Sequence, residues 1–213
     1  MENASLIDRE SMIMNITPAN KTRLTDANVM DILSLFCRGR NDVLVIDPQW
    51  STQFLSNGHV DRREYYSGRI GEAFRSINQF PSIVLMPLFI AEHWSLLVLV
   101  ALSDTVYHHF HLDSSQPDHT PYCVTIINAI TRIIDNQGGV LVKLALPCKV
   151  PQQNSDWQCG HFVVMNASMI ITSLDGNQPL SLASLTRHLR QNMLSSSHRN
   201  IRQFAIQVNT MLQ

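Results

Sequence analysis

Cys159 follows a turn-rich polar connector, Pro147 to Gln158, and precedes Gly160 and an apolar run at helical spacing. A thiol at the start of a helix meets the positive end of the helix dipole and unpaired amides, which favour the nucleophilic thiolate. The bland alternative is a small buried hydrophobe, as most unpaired cysteines are. Partners therefore decide. A thiolate nucleophile needs a histidine to take and return its proton, and the imidazole needs a carboxylate to fix its tautomer.

Nine histidines compete for that role. His93 stands at the start of an apolar strand, where a sheet end holds a side chain rigidly, and Asp113 stands at the end of the next strand. If the two strands are neighbours, the sheet itself brings the pair together. His108, His109 and His111 lie within a strand and are expected to face solvent or stack on neighbours; Asp113 would equally suit a turn. Gln153, six residues before Cys159, can supply a side-chain amide that joins the Cys159 N–H in meeting an oxyanion. Adjacent Gln152 offers the same chemistry.

Positioning these groups requires strands that end near 93 and 113 and a helix that opens near 159. Ser82 to Met86 reads as a strand ended by Pro87, Trp94 to Ala101 follows after a six-residue connection ending in His93, and Val106 to Asp113 is a third strand with one exposed face. Around them, Thr25-Asp26 can cap a helix carrying Val29, Ile32, Leu33, Leu35 and Phe36. Val43 to Ile46 suits a buried strand stopped by Asp47-Pro48. Helical spacing recurs at 62–79, 121–137 and 160–174, with a strand from Val140 to Leu146 and two helical pieces within 181–212. The pattern predicts a single α+β domain over 21–213 behind a partly ordered tail at 1–20.

Composition restricts the partners. With 213 residues, 45% hydrophobic, 15% charged and a formal charge of −1, bulk charge gives no reason to expect nucleic acid or a membrane surface. The longest apolar stretch, Trp94 to Leu102, is broken by Ser95 and is well short of the ~20 residues a spanning helix needs. Glu2, Asp8 and Glu10 do not read as a secretory signal. Cys37, Cys123, Cys148 and Cys159 match neither a zinc site nor a disulfide scaffold, which suits a reducing intracellular compartment, cytoplasm or nucleus.

Three segments together resemble the Ulp1/SENP proteases. His93-Trp94-Ser95-Leu96-Leu97-Val98 resembles their His-Trp strand, Phe110-His111-Leu112-Asp113-Ser114 their Asp strand, and Pro151 to Gly160 their Gln-to-Cys-Gly signature. Trp157-Gln158 replaces the usual Tyr-Asp before Cys-Gly, and no Trp marks the early helix. The resemblance implies a papain-like α+β fold of the Ulp1/adenain type, a central mixed sheet flanked by helices. It implies a triad of His93, Asp113 and Cys159, Gln153 in the oxyanion hole, Trp94 and Trp157 at the substrate, and neither cofactor nor metal. The implied partner is ubiquitin or a ubiquitin-like protein (SUMO or NEDD8), cut after its terminal Gly-Gly by a monomer; the region 55–80 and the loop 114–120 would set specificity. The short chain resembles the members that bacteria deliver into host cells. Two alternatives are an acetyltransferase of the YopJ type and an inactive relative that only binds a modifier.

Overall fold

The computed structural model describes residues 22–53, 68–75, 81–101, 103, 106–115, 119–136, 138, 140–142, 150, 152–173, 204 and 208. The expected tail at 1–20, Cys148 and most of 181–212 lie outside the described residues.

Helix α1, Asp26–Phe36, opens on Thr25, whose hydroxyl accepts from the Asn28 N–H while Asn28 Oδ1 accepts from the Thr25 N–H, both at 3.2 Å. This reciprocal cap satisfies two amides the helix cannot. Strand β1, Val43–Val45, is followed by α2, Pro48–Gln53. Asp47-Pro48, read as a stop, therefore starts a short helix, with Asp47 Oδ1 accepting from the Gln49 N–H at 2.8 Å and proline in the first turn, where its missing N–H costs nothing. The chain continues through a helical stretch at 68–75. Next come β2 (Ile83–Ile90), β3 (His93–Ala101), β4 (Val106–Leu112), α3 (Thr120–Asp135), β5 (Val140–Val142) and α4 (Cys159–Ser173).

The five strands form one mixed sheet in the order β1-β2-β3-β4-β5. The β1–β2 and β4–β5 pairs are parallel, and β2–β3–β4 are antiparallel. Pro87 does not end β2, which runs on to Ile90. Leu85 O accepts from the Ile46 N–H, so Leu85 faces β1, and Pro87, two residues on, turns its N–H-less nitrogen to the same side, beyond the last β1 partner at Val45. The connection to β3 is accordingly a two-residue hairpin turn, Ala91-Glu92, with φ of 48° and 61°. A turn of this kind needs positive φ at both positions, which neither side chain favours.

Alternation divides the core in two. On one face Leu96, Val98, Val100, Phe110 and Leu112 pack with α1 and α4, and Phe36 stacks on Phe204 at 5.6 Å between ring centroids. On the other, Val84, Met86, Leu97, Leu99 and Tyr107 pack with Ile126, Ile127, Ile130, Ile133 and Ile134 of α3 and with Ile70 and Phe74. Each fully buried aliphatic side chain contributes about 1.5–3 kcal/mol. With both faces covered, the expectation that the β4 histidines face solvent is corrected for two of them: His108 and His109 are buried, and His111 is half-buried.

Candidate active site

The antiparallel β3–β4 register pairs Leu96 with Leu112. His93, at the first position of β3, and Asp113, directly after β4, therefore meet at one end of the sheet. His93 Nε2 lies 2.7 Å from Asp113 Oδ1. The carboxylate is held from two further directions, Oδ1 accepting from the Ser115 N–H and Oδ2 from the His119 N–H, each at 3.0 Å. Burial pushes the Asp113 carboxyl up, but the His93 bond and the two amides prevail and hold it below its ordinary value.

Cys159 opens α4 and is 1% exposed. Burial pushes its thiol up; the hydrogen bond to His93, the Trp94 amide, the charge on His93 and the Gly160 amide outweigh it, and the net shift is downward. Cys37 shows the contrary case, a thiol raised to about 11 by its burial. For His93, burial works against the charged ring, but the bonds to Asp113 and Cys159 and their negative charge raise it to about 9. A raised histidine beside a lowered thiol favours the thiolate–imidazolium form, the form in which a cysteine can attack a carbonyl carbon.

Packing fixes the sulfur. Trp94 Nε1 donates to Leu24 O at 3.1 Å, drawing the segment before α1 against β3. A Cβ on Gly160 would lie 2.9 Å from Leu24 Cβ and 3.4 Å from Trp94 Cδ1. Gly160→Ala should accordingly lower stability by about 1–3 kcal/mol, read from the denaturation midpoint, and slow alkylation of Cys159. An unchanged midpoint would mean that α4 can shift outward without cost.

A cavity of about 460 Å³ opens beside these groups, lined by His93, Gln153, His119, Tyr122, Glu92, Asp156 and Arg23 among others. Arg23 reaches Asp156 at 3.1 Å and Glu92 at 3.5 Å across its rim. The two glutamines, equivalent in the sequence, have different surroundings. Gln152 Nε2 donates to Asp113 O and Val150 O, at 3.3 and 3.2 Å. Gln153 lines the cavity, with Oε1 accepting from the Ser114 hydroxyl at 3.0 Å. Gln158, where the resembled signature has Asp, accepts through Oε1 from the Asn154 and Ser155 amides and so shapes the turn ahead of Cys159.

Trp94 and Trp157, expected at the substrate, are placed in the core, 2% and 5% exposed, and neither lines the cavity. Trp157 packs edge-on to His161 at 5.1 Å. Sequence reasoning missed His119. Its amide holds Asp113, its Nδ1 lies 3.0 Å from Ser95 Oγ, and its ring meets His93 at 4.8 Å in an edge contact. The one available signal was its place just ahead of Thr120-Pro121, a helix start. His93, Asp113 and His119 present ligand atoms within 4.8 Å of one another, but both Asp113 oxygens already serve as hydrogen-bond acceptors. Among the described residues no helix is long and apolar enough to cross a membrane.

Comparison with known proteins agrees with this geometry. The family described as Ulp1 protease family, C-terminal catalytic domain, matches residues 56–202. A de-sumoylating protease superposes with a TM-score of 0.58 at 18% identity, over 89% of this chain and 82% of that one. The Xanthomonas campestris effector protein XopD bound to ubiquitin gives 0.55 at 18% identity, over 80% of this chain and 91% of the other. SUMO protease Ulp1 with its catalytic cysteine oxidised to a sulfinic acid gives 0.55 at 14% identity, over 94% and 83%. At these identities the superpositions show the fold. Curated protein sequences return no match.

Proposed function

Because the chain belongs to the Ulp1 protease family, and is thus a cysteine protease, we propose that Cys159, His93 and Asp113 form its catalytic triad and cut after the terminal Gly-Gly of a ubiquitin-like modifier. The observation that carries this is the cluster in which His93 is bonded to Asp113 at 2.7 Å and raises, with it, the tendency of the Cys159 thiol at the opening of α4 to ionise. The Cys159 thiolate attacks the carbonyl carbon of the last glycine. The carbonyl oxygen takes up negative charge and is met by the Gln153 amide and the Cys159 N–H. His93 then gives its proton to the departing amine, either a lysine side chain or a peptide nitrogen, leaving a thioester on Cys159. Water, deprotonated by His93, releases the modifier and restores the thiol. Asp113 keeps the imidazole turned toward the sulfur throughout.

Ubiquitin, SUMO and NEDD8 differ on surfaces away from the tail, so a fluorogenic panel of the three identifies the substrate. At least one should be hydrolysed, and its C-terminal propargylamide should label Cys159 irreversibly. Failure of all three to react, together with acetyl transfer from acetyl-CoA, would favour an acyltransferase of the YopJ type.

A further inference from the structure

We infer that Ser114 is a positioning residue that aims the Gln153 amide at the reacting carbonyl, so that the turn carrying the general base's carboxylate also sets the oxyanion donor. The inference rests on the triad reading above and adds a residue to it. Ser114 is buried, 3% exposed, although it follows a strand end beside the cavity. It grips Gln153 at both ends: Ser114 O accepts from the Gln153 N–H at 2.7 Å, and the Ser114 hydroxyl donates to Gln153 Oε1 at 3.0 Å. An amide has one acceptor end and one donor end. With the oxygen held by a hydroxyl proton, the N–H end is the one presented away from Ser114, into the cavity that Gln153 lines.

A glutamine on a loop otherwise loses this aim. Its side chain carries considerable rotamer freedom, and flipped by half a turn it would offer an oxygen to a developing oxyanion, which repels. The neighbouring bond strengthens the bracket. Gln152 Nε2 donates to Asp113 O, so the consecutive residues Gln152 and Gln153 are tied to the consecutive residues Asp113 and Ser114. Asp113 and Ser114 thereby look to opposite parts of one reaction, the carboxylate to His93 and the hydroxyl to Gln153. Preorganised donors act without reorganising at the moment of reaction, and that advantage depends on what holds them.

The test compares wild type, Ser114→Ala, Gln153→Ala and the double variant on the modifier substrate that the panel selects. Each variant is also assayed for the pH dependence of iodoacetamide alkylation at Cys159. Ser114→Ala should lower kcat about tenfold with KM little changed, the scale of one neutral hydrogen bond. Gln153→Ala should lower it about 10²- to 10³-fold. The double variant should be no slower than Gln153→Ala alone, because a lost aim has no consequence once the amide is gone. Alkylation should keep the wild-type profile in Ser114→Ala, since the oxyanion donor takes no part in forming the thiolate. A displaced profile would mean that Ser114 acts through Asp113 and would overturn the inference. So would multiplying effects in the double variant, a wild-type kcat in Ser114→Ala, or an unimpaired Gln153→Ala. If Gln153→Ala is impaired and Ser114→Ala is not, the inference fails while the triad stands.

Discussion

Cys159→Ala is expected to lower hydrolysis of the selected modifier by roughly 10⁴-fold or more, while modifier binding remains measurable by fluorescence anisotropy. The substitution removes one sulfur atom from a site whose other contacts do not depend on it. His93 remains bonded to Asp113, and Asp113 remains held by the Ser115 and His119 amides. α4 is anchored by Val163, Val164, Ala167, Ile170 and Ile171 in the core rather than by the thiol. Thermal stability should therefore change little. Among the described residues the other thiols offer poor substitutes: Cys37 is raised to about 11 and packs against the core beside α1, and Cys123 is buried on the opposite face of the sheet with α3. His93 should also respond. The bond to Cys159 is one of the interactions that raise its pKa, so its titration, followed by NMR, should move downward in the variant. Turnover that persists within tenfold of wild type would identify a different nucleophile.

The parts of this site that could be read from sequence are those set by an element's own pattern. Trp94 to Ala101 and Val106 to Leu112 are apolar or β-prone runs separated by few residues, so their pairing, and with it the approach of His93 to Asp113, follows from local character and chain connectivity. The opening of α4 at Cys159 follows from a polar connector meeting an apolar helical run. What stayed hidden depends on neighbours far along the chain. Pro87 fits inside β2 because β1 ends at Val45 and leaves that edge open, a fact of β1 and not of Pro87. The burial of His108 and His109 comes from helices laid on both faces of the sheet. The grip of Ser114 on Gln153 joins residues 39 apart. Trp94 turns inward for a similar reason, its indole covered by Leu24, 70 residues away in sequence.

Asp113→Ala and Asp113→Asn are each expected to reduce kcat/KM by about 10²- to 10⁴-fold without unfolding the protein. Asparagine keeps the size of the side chain, but its NH2 must face either the His93 ring or the His119 N–H, where the carboxylate only accepts, and both variants remove the negative charge. Charge governs the pH profile. In wild type the thiolate–imidazolium pair exists between the lowered pKa of Cys159 and the His93 value of about 9, so kcat/KM should rise through the first and fall near the second. Without the carboxylate, the burial that disfavours the charged ring is opposed only by Cys159, and the falling limb should move down toward the ordinary histidine value of about 6.5. The thiol then loses the cation that lowered it, and the rising limb moves up. The active window narrows from both sides, which a simple loss of orientation would not produce. Stopped-flow alkylation between about pH 5 and 10.5 follows the rising limb independently of turnover. A falling limb that stays near 9 in both variants would remove Asp113 from the triad and leave it as a turn residue closing β4.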